Sequence, residues 1–225
     1  MSLLRELQNI TERTYQQNSG INLEHFIIGK QRFRDLSQYC TPEARELSHL
    51  ARVFFRVLNG RLYMAIYYSD EVISYLEQND PRMGLSEKNI YPFVVFFEEL
   101  NHAVHAALKF LAGEKDIHKE EFIRDLELMA RIDTYQILKL FLAYFNKSKK
   151  LERFDRLWLR YHLFERNDYS YESPRLAHRY REINWLSEKY TRFLDALQPA
   201  HRVDELRRFR EFPYPVKKRY IEMLP

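Results

Sequence analysis

Acidic and histidine side chains recur on the apolar faces of the predicted helices. Burying a charged group is costly unless an opposite charge or a metal ion compensates for it. At about 100° per residue, Asn101 falls at the centre of the apolar stripe of one helix, and Asp133 falls in the middle of the stripe of the next. Glu98 and His105 lie inside the first stripe, and His102 lies at its margin. These side chains therefore need partners within the protein.

Neighbouring predicted helices supply further candidates. Arg61 lies near the apolar stripe of the first long helix, Glu165 lies on that of the fourth, and His162 lies at its edge. Residues equidistant from a turn lie side by side in an antiparallel pair, so folding the chain about its turns brings the candidates to one level. The predicted polar layer consists of Arg61, Glu98, Asn101, His102, His105, Asp133, His162 and Glu165.

Carboxylates and imidazoles on facing helices are typical ligands of transition metals in helical bundles. Glu99 and His102 form a Glu-x-x-His motif, which places two ligands on adjoining turns of one helix. In this motif the chain resembles the ferritin-like di-metal carboxylate family. The resemblance implies a bound iron or manganese pair, oxidoreductase-type chemistry, and metal ligands at Glu99, His102, Asp133, His162 and Glu165. Alternate ligands or supporting residues would be Glu98, Asn101 and His105, with Arg61 paired to a carboxylate.

The same residues leave two other functions open. The polar layer can be a buried salt-bridge network that only holds the helices in register. The protein would then be a non-catalytic scaffold or a protein-interaction domain. Alternatively, Arg156 and His162 have the Arg-x5-His spacing, which resembles the motif of HEPN ribonucleases and implies an RNA-binding nuclease.

The elements that position these residues are predicted to be helices. Thr41-Pro42 is a typical helix start, and apolar residues then recur at helical spacing as far as position 78. The predicted helices span 41–78, 86–111, 118–145, 151–165 and 173–197. We therefore predict an all-α fold, an antiparallel bundle of four long helices with short N-terminal helices, a C-terminal helix and a basic arm. Residues 1–40, 41–198 and 199–225 are the predicted short helices, bundle core and arm of a single globular domain.

Composition narrows the class of protein. Hydrophobic residues make up 45% and charged residues 30% of the chain, a balance typical of globular proteins. The single cysteine, Cys40, excludes an internal disulfide. The first residues contain no apolar run typical of a signal peptide, and no apolar stretch is long enough to span a bilayer. These features predict a cytoplasmic protein without a membrane partner.

The net charge of +4 is a mild basic bias, and much of it lies in the predicted arm. Arg207, Arg208 and Arg210 stand there among aromatic residues, a pattern that can bind nucleic acid. We favour the alternative, in which the aromatic residues dock the arm on the bundle. The expected assembly is a homodimer or a complex with a protein partner.

Overall fold

A computed structural model describes residues 1–47 and 49–225 of the chain. It is rich in helix, as predicted, and it also contains a small sheet. The strands are β1 (Ile27–Ile28), β2 (Ala51–Leu58) and β3 (Arg61–Tyr68). The helices are α1 (Leu3–Thr14), α2 (Lys30–Ser37), α3 (Pro42–Glu46), α4 (Asp70–Gln78), α5 (Ile90–Leu111), α6 (Glu120–Phe145), α7 (Arg153–Arg160), α8 (Pro174–Ala196), α9 (Pro199–Arg210) and α10 (Tyr214–Met223).

Residues 51–68 form a β-hairpin, so the long helix predicted over 41–78 is wrong. Strands β2 and β3 pair antiparallel from Ala51 opposite Tyr68 to Leu58 opposite Arg61. Asn59 and Gly60 join them with φ angles of 50° and 70°, the left-handed conformations that a two-residue hairpin turn requires. The apolar positions fit a helical period by coincidence, whereas the turn and the β-branched and aromatic residues favour strands. The helix starting at Pro42 ends at Glu46, and helix resumes only at Asp70.

We expect Gly60→Ala to lower the free energy of unfolding by about 1 kcal/mol. A Cβ at this position would meet no atom within 4 Å, so the cost comes from the φ of 70° alone. Gly60→Asn is the matched control, because asparagine tolerates this conformation, and it should stay close to the wild type. Urea denaturation measures both, and equal stability of the alanine and asparagine variants would contradict the turn assignment.

The sheet has the order β1-β3-β2, which makes β2 an edge strand. Edge strands carry backbone groups without a strand partner. Here α5 covers the edge, because the side chain of Glu99 accepts a 2.7 Å hydrogen bond from the backbone N–H of Val53. The hairpin is thereby attached to the helix that carries the Glu-x-x-His motif.

Helices α5 and α6 form the centre of the molecule and run antiparallel. Glu98 on α5 contacts Arg131 on α6, whereas Lys109, later on α5, contacts Asp125, which comes earlier on α6. Helix α6 also packs against α8. These three helices confirm the predicted helices 86–111, 118–145 and 173–197, with starts shifted by one to four residues. Even the apolar α5 does not qualify as a membrane span, nor does any other helix in residues 1–47 and 49–225.

Helix α7 is followed without a break by a π-helical segment, Tyr161–Glu165. Together they correspond to the predicted helix 151–165. Contrary to prediction, its apolar stripe points outward at three of its five residues, whereas Trp158 is partly buried and Phe164 is buried. The exposed fractions of Phe154, Leu157 and Tyr161 are 74%, 58% and 51%, whereas Leu159 on the other side is fully buried.

The segment predicted as a basic arm forms two helices that complete the fold. Helix α10 packs against α6 and α8, and α9 contacts α8. Phe209 and Ile221 are fully buried in this cluster. Residues 199–225 therefore complete a hydrophobic cluster that they share with α6 and α8.

Candidate functional site

A cavity of about 1050 Å³ lies between β2, α5, α6, α8 and the loop at residues 166–171. Ionisable side chains from α5 and α6 line it, and we call it the acid–base cavity. These are Glu98, Glu99, His102, Glu127 and Arg131. The antiparallel crossing of α5 and α6 brings all five to the same level of the fold.

The imidazole of His102 lies between two carboxylates. Its Nδ1 is 3.7 Å from Glu99 Oε2, and its Nε2 is 3.4 Å from Glu127 Oε2. Burial lowers the pKa of His102, but Glu127 and Glu99 together outweigh burial and raise this pKa well above its ordinary value. Burial raises the pKa of Glu127, but His102 outweighs it, so this pKa is lowered. His102 is therefore an imidazolium at neutral pH.

This pair predicts a pH dependence of stability. The pKa of His102 in the folded protein is raised above 6.5. The contribution of His102 to the free energy of unfolding is therefore complete below that pH, and it is lost as the pH rises through the folded pKa. We expect the advantage of wild type over His102→Gln in urea denaturation to shrink above neutral pH. An advantage that grows with pH would contradict the assignment.

Glu98 and Arg131 form a second pair on the cavity wall. Arg131 Nη1 lies 3.1 Å from Glu98 Oε1. Burial raises the pKa of the Glu98 carboxyl, and Arg131 offsets this only in part. A raised carboxyl pKa facing a cavity is typical of groups that exchange protons with a ligand.

Tyrosines form the wall opposite α5. The Tyr180 hydroxyl donates a 2.9 Å hydrogen bond to Glu127, and its ring stacks on Tyr171 at 5.1 Å between centroids. Burial raises the pKa of Tyr171 to about 12 and also raises that of Tyr169. Their hydroxyls are therefore protonated at neutral pH and can donate hydrogen bonds.

Several buried polar atoms on this cavity have no hydrogen-bond partner among residues 1–47 and 49–225. They come from three segments, β2, α5 and the loop, and they are Arg52 Nη1, Glu98 Oε1, His102 Nε2 and the Tyr169 hydroxyl. Glu98 Oε1 and His102 Nε2 still have the ion-pair contacts with Arg131 and Glu127 given above. An unsatisfied buried polar group costs about 1–3 kcal/mol. Such groups around one cavity indicate a site that a polar ligand completes.

Asp133 lies in a different polar cluster from Glu99 and His102. It accepts hydrogen bonds from the Tyr15 hydroxyl at 2.5 Å and from Asn101 at 2.8 Å, and His105 Nε2 lies 2.8 Å from it. The predicted polar layer is therefore divided. Asn101 and His105 face Asp133, whereas Glu98, Glu99 and His102 face the cavity.

The fourth helix and the hairpin place the other predicted residues apart. His162 Nε2 lies 3.0 Å from Glu87, and its side chain borders the cavity. Glu165 is exposed at the end of the π-helical segment. Arg61 begins β3 and is exposed, so its predicted place in a buried layer is wrong. Of the five predicted metal ligands, only Glu99 and His102 contact each other.

The arginines of the predicted arm have partners inside the chain. Arg207 donates to the backbone oxygen of Thr14 at 2.7 Å, and Arg208 donates to Glu205 at 2.7 Å. Arg210 is buried, with its guanidinium 5.5 Å from the centroid of the Tyr15 ring. The contacts of Arg207 and Arg210 dock α9 at the C-terminal end of α1.

No group of three or more His, Cys, Asp or Glu side chains in the described part of the chain is arranged to hold a metal ion. Comparison with known proteins adds no family, since no family model, curated protein or solved structure matches this chain. The function must therefore be argued from the geometry of the cavity.

Two cavity residues on α6, Glu127 and Arg131, were absent from the sequence prediction. They stand four residues apart, so they share one face of the helix. The apolar stripe of α6 suggested that this face was exposed, but α6 is buried on several sides. The signal available in the sequence was this pair of opposite charges at i and i+4 on a helix that lies at the centre of the fold. The cavity tyrosines, 169 and 171, lie in a loop, where no periodicity could place them.

Proposed function

We propose that this chain is an acid–base enzyme that binds a small polar molecule in the acid–base cavity and transfers a proton to or from it. The observation that carries the proposal is a set of buried polar atoms, from β2, α5 and the loop, that make no hydrogen bond within the described residues and line one cavity. These atoms share the wall of one large cavity, where a bound polar molecule can reach them.

The residues have distinct roles in this proposal. Glu98 is the proton donor or acceptor, because its side chain lines the cavity and its pKa is raised although Arg131 lies 3.1 Å from its Oε1. Arg131 and the His102 imidazolium stabilise negative charge on the ligand. Glu99 and Glu127 keep His102 protonated and fix its orientation.

The charges of the wall indicate a ligand without a large net charge. Arg131 balances Glu98, while His102 and Arg52 balance Glu99 and Glu127. The unpartnered atoms include both donors and an acceptor. A sugar, a nucleoside or a zwitterionic amino acid meets these requirements, and the tyrosine rings offer stacking surface.

Glu98→Gln tests the proposal. Sugars, nucleosides and amino acids are screened for a rise in the melting temperature of the wild type, and each hit is then assayed for turnover. We expect Glu98→Gln to retain binding and lose about 10²–10⁴-fold in turnover. Glu121→Gln, an exposed glutamate on α6, is the matched control and should turn over normally.

Two outcomes would contradict this assignment. In one, no compound of these classes stabilises the wild type. In the other, a compound is turned over equally well by wild type and Glu98→Gln.

The ferritin-like metal hypothesis stays a separate prediction, with iron or manganese as the metal. Elemental analysis of protein purified without a chelating tag tests it. Stoichiometric iron or manganese that is lost in His102→Ala would support it. RNA cleavage that depends on Arg156 and His162 would likewise support the HEPN-like alternative.

A further inference from the structure

Helix α7 presents its apolar stripe to solvent. Phe154, Leu157 and Tyr161 follow each other at i, i+3 and i+7, so they share one face, and all three are exposed. On the adjoining α6, Leu140 and Tyr144 are exposed by 60% and 66%. Exposed apolar side chains concentrated on two packed helices in this way mark an interaction surface.

The outward orientation of α7 is fixed by contacts on its other side. Leu159 is fully buried, and Arg160 pairs with Asp195 at 3.2 Å. The Trp158 indole donates a 2.5 Å hydrogen bond to Glu87. Turning the apolar stripe inward would break these contacts, so the stripe is available only to something outside the fold.

Charge is distributed unevenly along this surface. Its N-terminal end is basic, because the exposed Lys147, Lys149, Lys150 and Arg153 outnumber the exposed Glu152. Its C-terminal end is acidic, because Glu165 is exposed and Glu87 lies beside His162 with 68% of its side chain exposed. Arg166 is the next residue after Glu165 and carries the opposite charge, but its side chain lines the acid–base cavity.

We propose that α7 is a homodimer interface, in which a second copy of this chain packs its own α7 antiparallel about a twofold axis near Leu157. The apolar stripe then meets itself, and the basic end around Arg153 meets the acidic end around Glu165 of the other copy. An acidic peptide or an anionic lipid surface would complement only the basic end. The self-complementary charge pattern therefore favours a second copy.

Sedimentation equilibrium over a range of concentrations tests the interface. We expect a dimer for the wild type and a dimerisation constant weakened about 30-fold or more by Leu157→Glu, which brings like charges together at the axis. Met223→Glu, at an 80% exposed residue on α10, is the matched control and should dimerise normally. Circular dichroism checks that both variants are folded.

A charge exchange provides the second arm of the test. Arg153→Glu alone and Glu165→Arg alone should each weaken the dimer about tenfold or less, and combining them should restore it. A wild-type monomer at every concentration would overturn the proposal. So would a folded Leu157→Glu variant that dimerises like the wild type.

Discussion

Replacing Asp125 by alanine is expected to destabilise the protein by about 3–5 kcal/mol, because it leaves a buried lysine without a counter-charge. The Lys217 side chain on α10 is fully buried, and its Nζ lies 2.7 Å from Asp125 Oδ1. Lys109 on α5 lies 2.6 Å from the other carboxylate oxygen. Burial raises the pKa of Asp125, but Lys217 and Lys109 outweigh it and lower that pKa. The carboxylate thus joins three helices.

The double variant Asp125→Leu with Lys217→Met distinguishes the loss of an ion pair from the loss of packing. Apolar residues of similar volume can replace a buried ion pair at little cost, and Lys109 keeps Glu114 at 2.8 Å. We expect the double variant to recover most of the stability in urea denaturation at neutral pH. An Asp125→Ala cost below about 1 kcal/mol, typical of a surface pair, would contradict this role.

The second large effect is expected at Asp133, where alanine should cost about 3–5 kcal/mol. Three buried groups, from Tyr15, Asn101 and His105, would lose their common acceptor. Burial lowers the pKa of His105, so it is neutral and its Nε2–H donates to the carboxylate.

Asp133→Asn is the informative comparison, because it keeps the shape and one acceptor oxygen and should cost less than Asp133→Ala. Tyr15→Phe removes only one donor and should cost about 1 kcal/mol. Both are measured by urea denaturation. Equal costs for the alanine and asparagine variants would show that hydrogen bonding to Asp133 is not what stabilises this cluster.

Asp125 and Asp133 stand on either side of Glu127 and Arg131 on α6, and both are tied to α5. They fix the register in which Glu98 meets Arg131 and His102 meets Glu127. These buried ion pairs and hydrogen bonds, which differ from the single layer predicted from the sequence, position the cavity wall. We expect both alanine variants to alter the site as well as stability.

Periodicity predicted the central helices because their apolar faces are long and continuous. It did not predict the hairpin, since apolar residues from Ala51 to Tyr68 fit two periods at once. There the Asn59-Gly60 turn was the decisive signal. The direction of α7 was not predictable either, because an amphipathic helix shows which face is apolar but not what covers it.

The candidate site was predicted in part. Glu98, Glu99 and His102 could be selected because charged residues on an apolar helix need partners. Their partners could not, because exchanging Asp133 for Glu127 opposite His102 takes a slip of only about two turns between α5 and α6. Such a register depends on side-chain packing along the whole pair of helices, which one sequence does not reveal.

We propose above all that Glu98 exchanges a proton with a ligand in the cavity that His102 and Arg131 also line. Carbon-13 NMR titration of the glutamate carboxyls, with Glu98 assigned through Glu98→Gln, tests it most directly. We expect a Glu98 pKa above its ordinary value of 4.5 that rises further in Arg131→Met. A Glu98 carboxyl that titrates at or below 4.5 and is unaffected by Arg131→Met would contradict it.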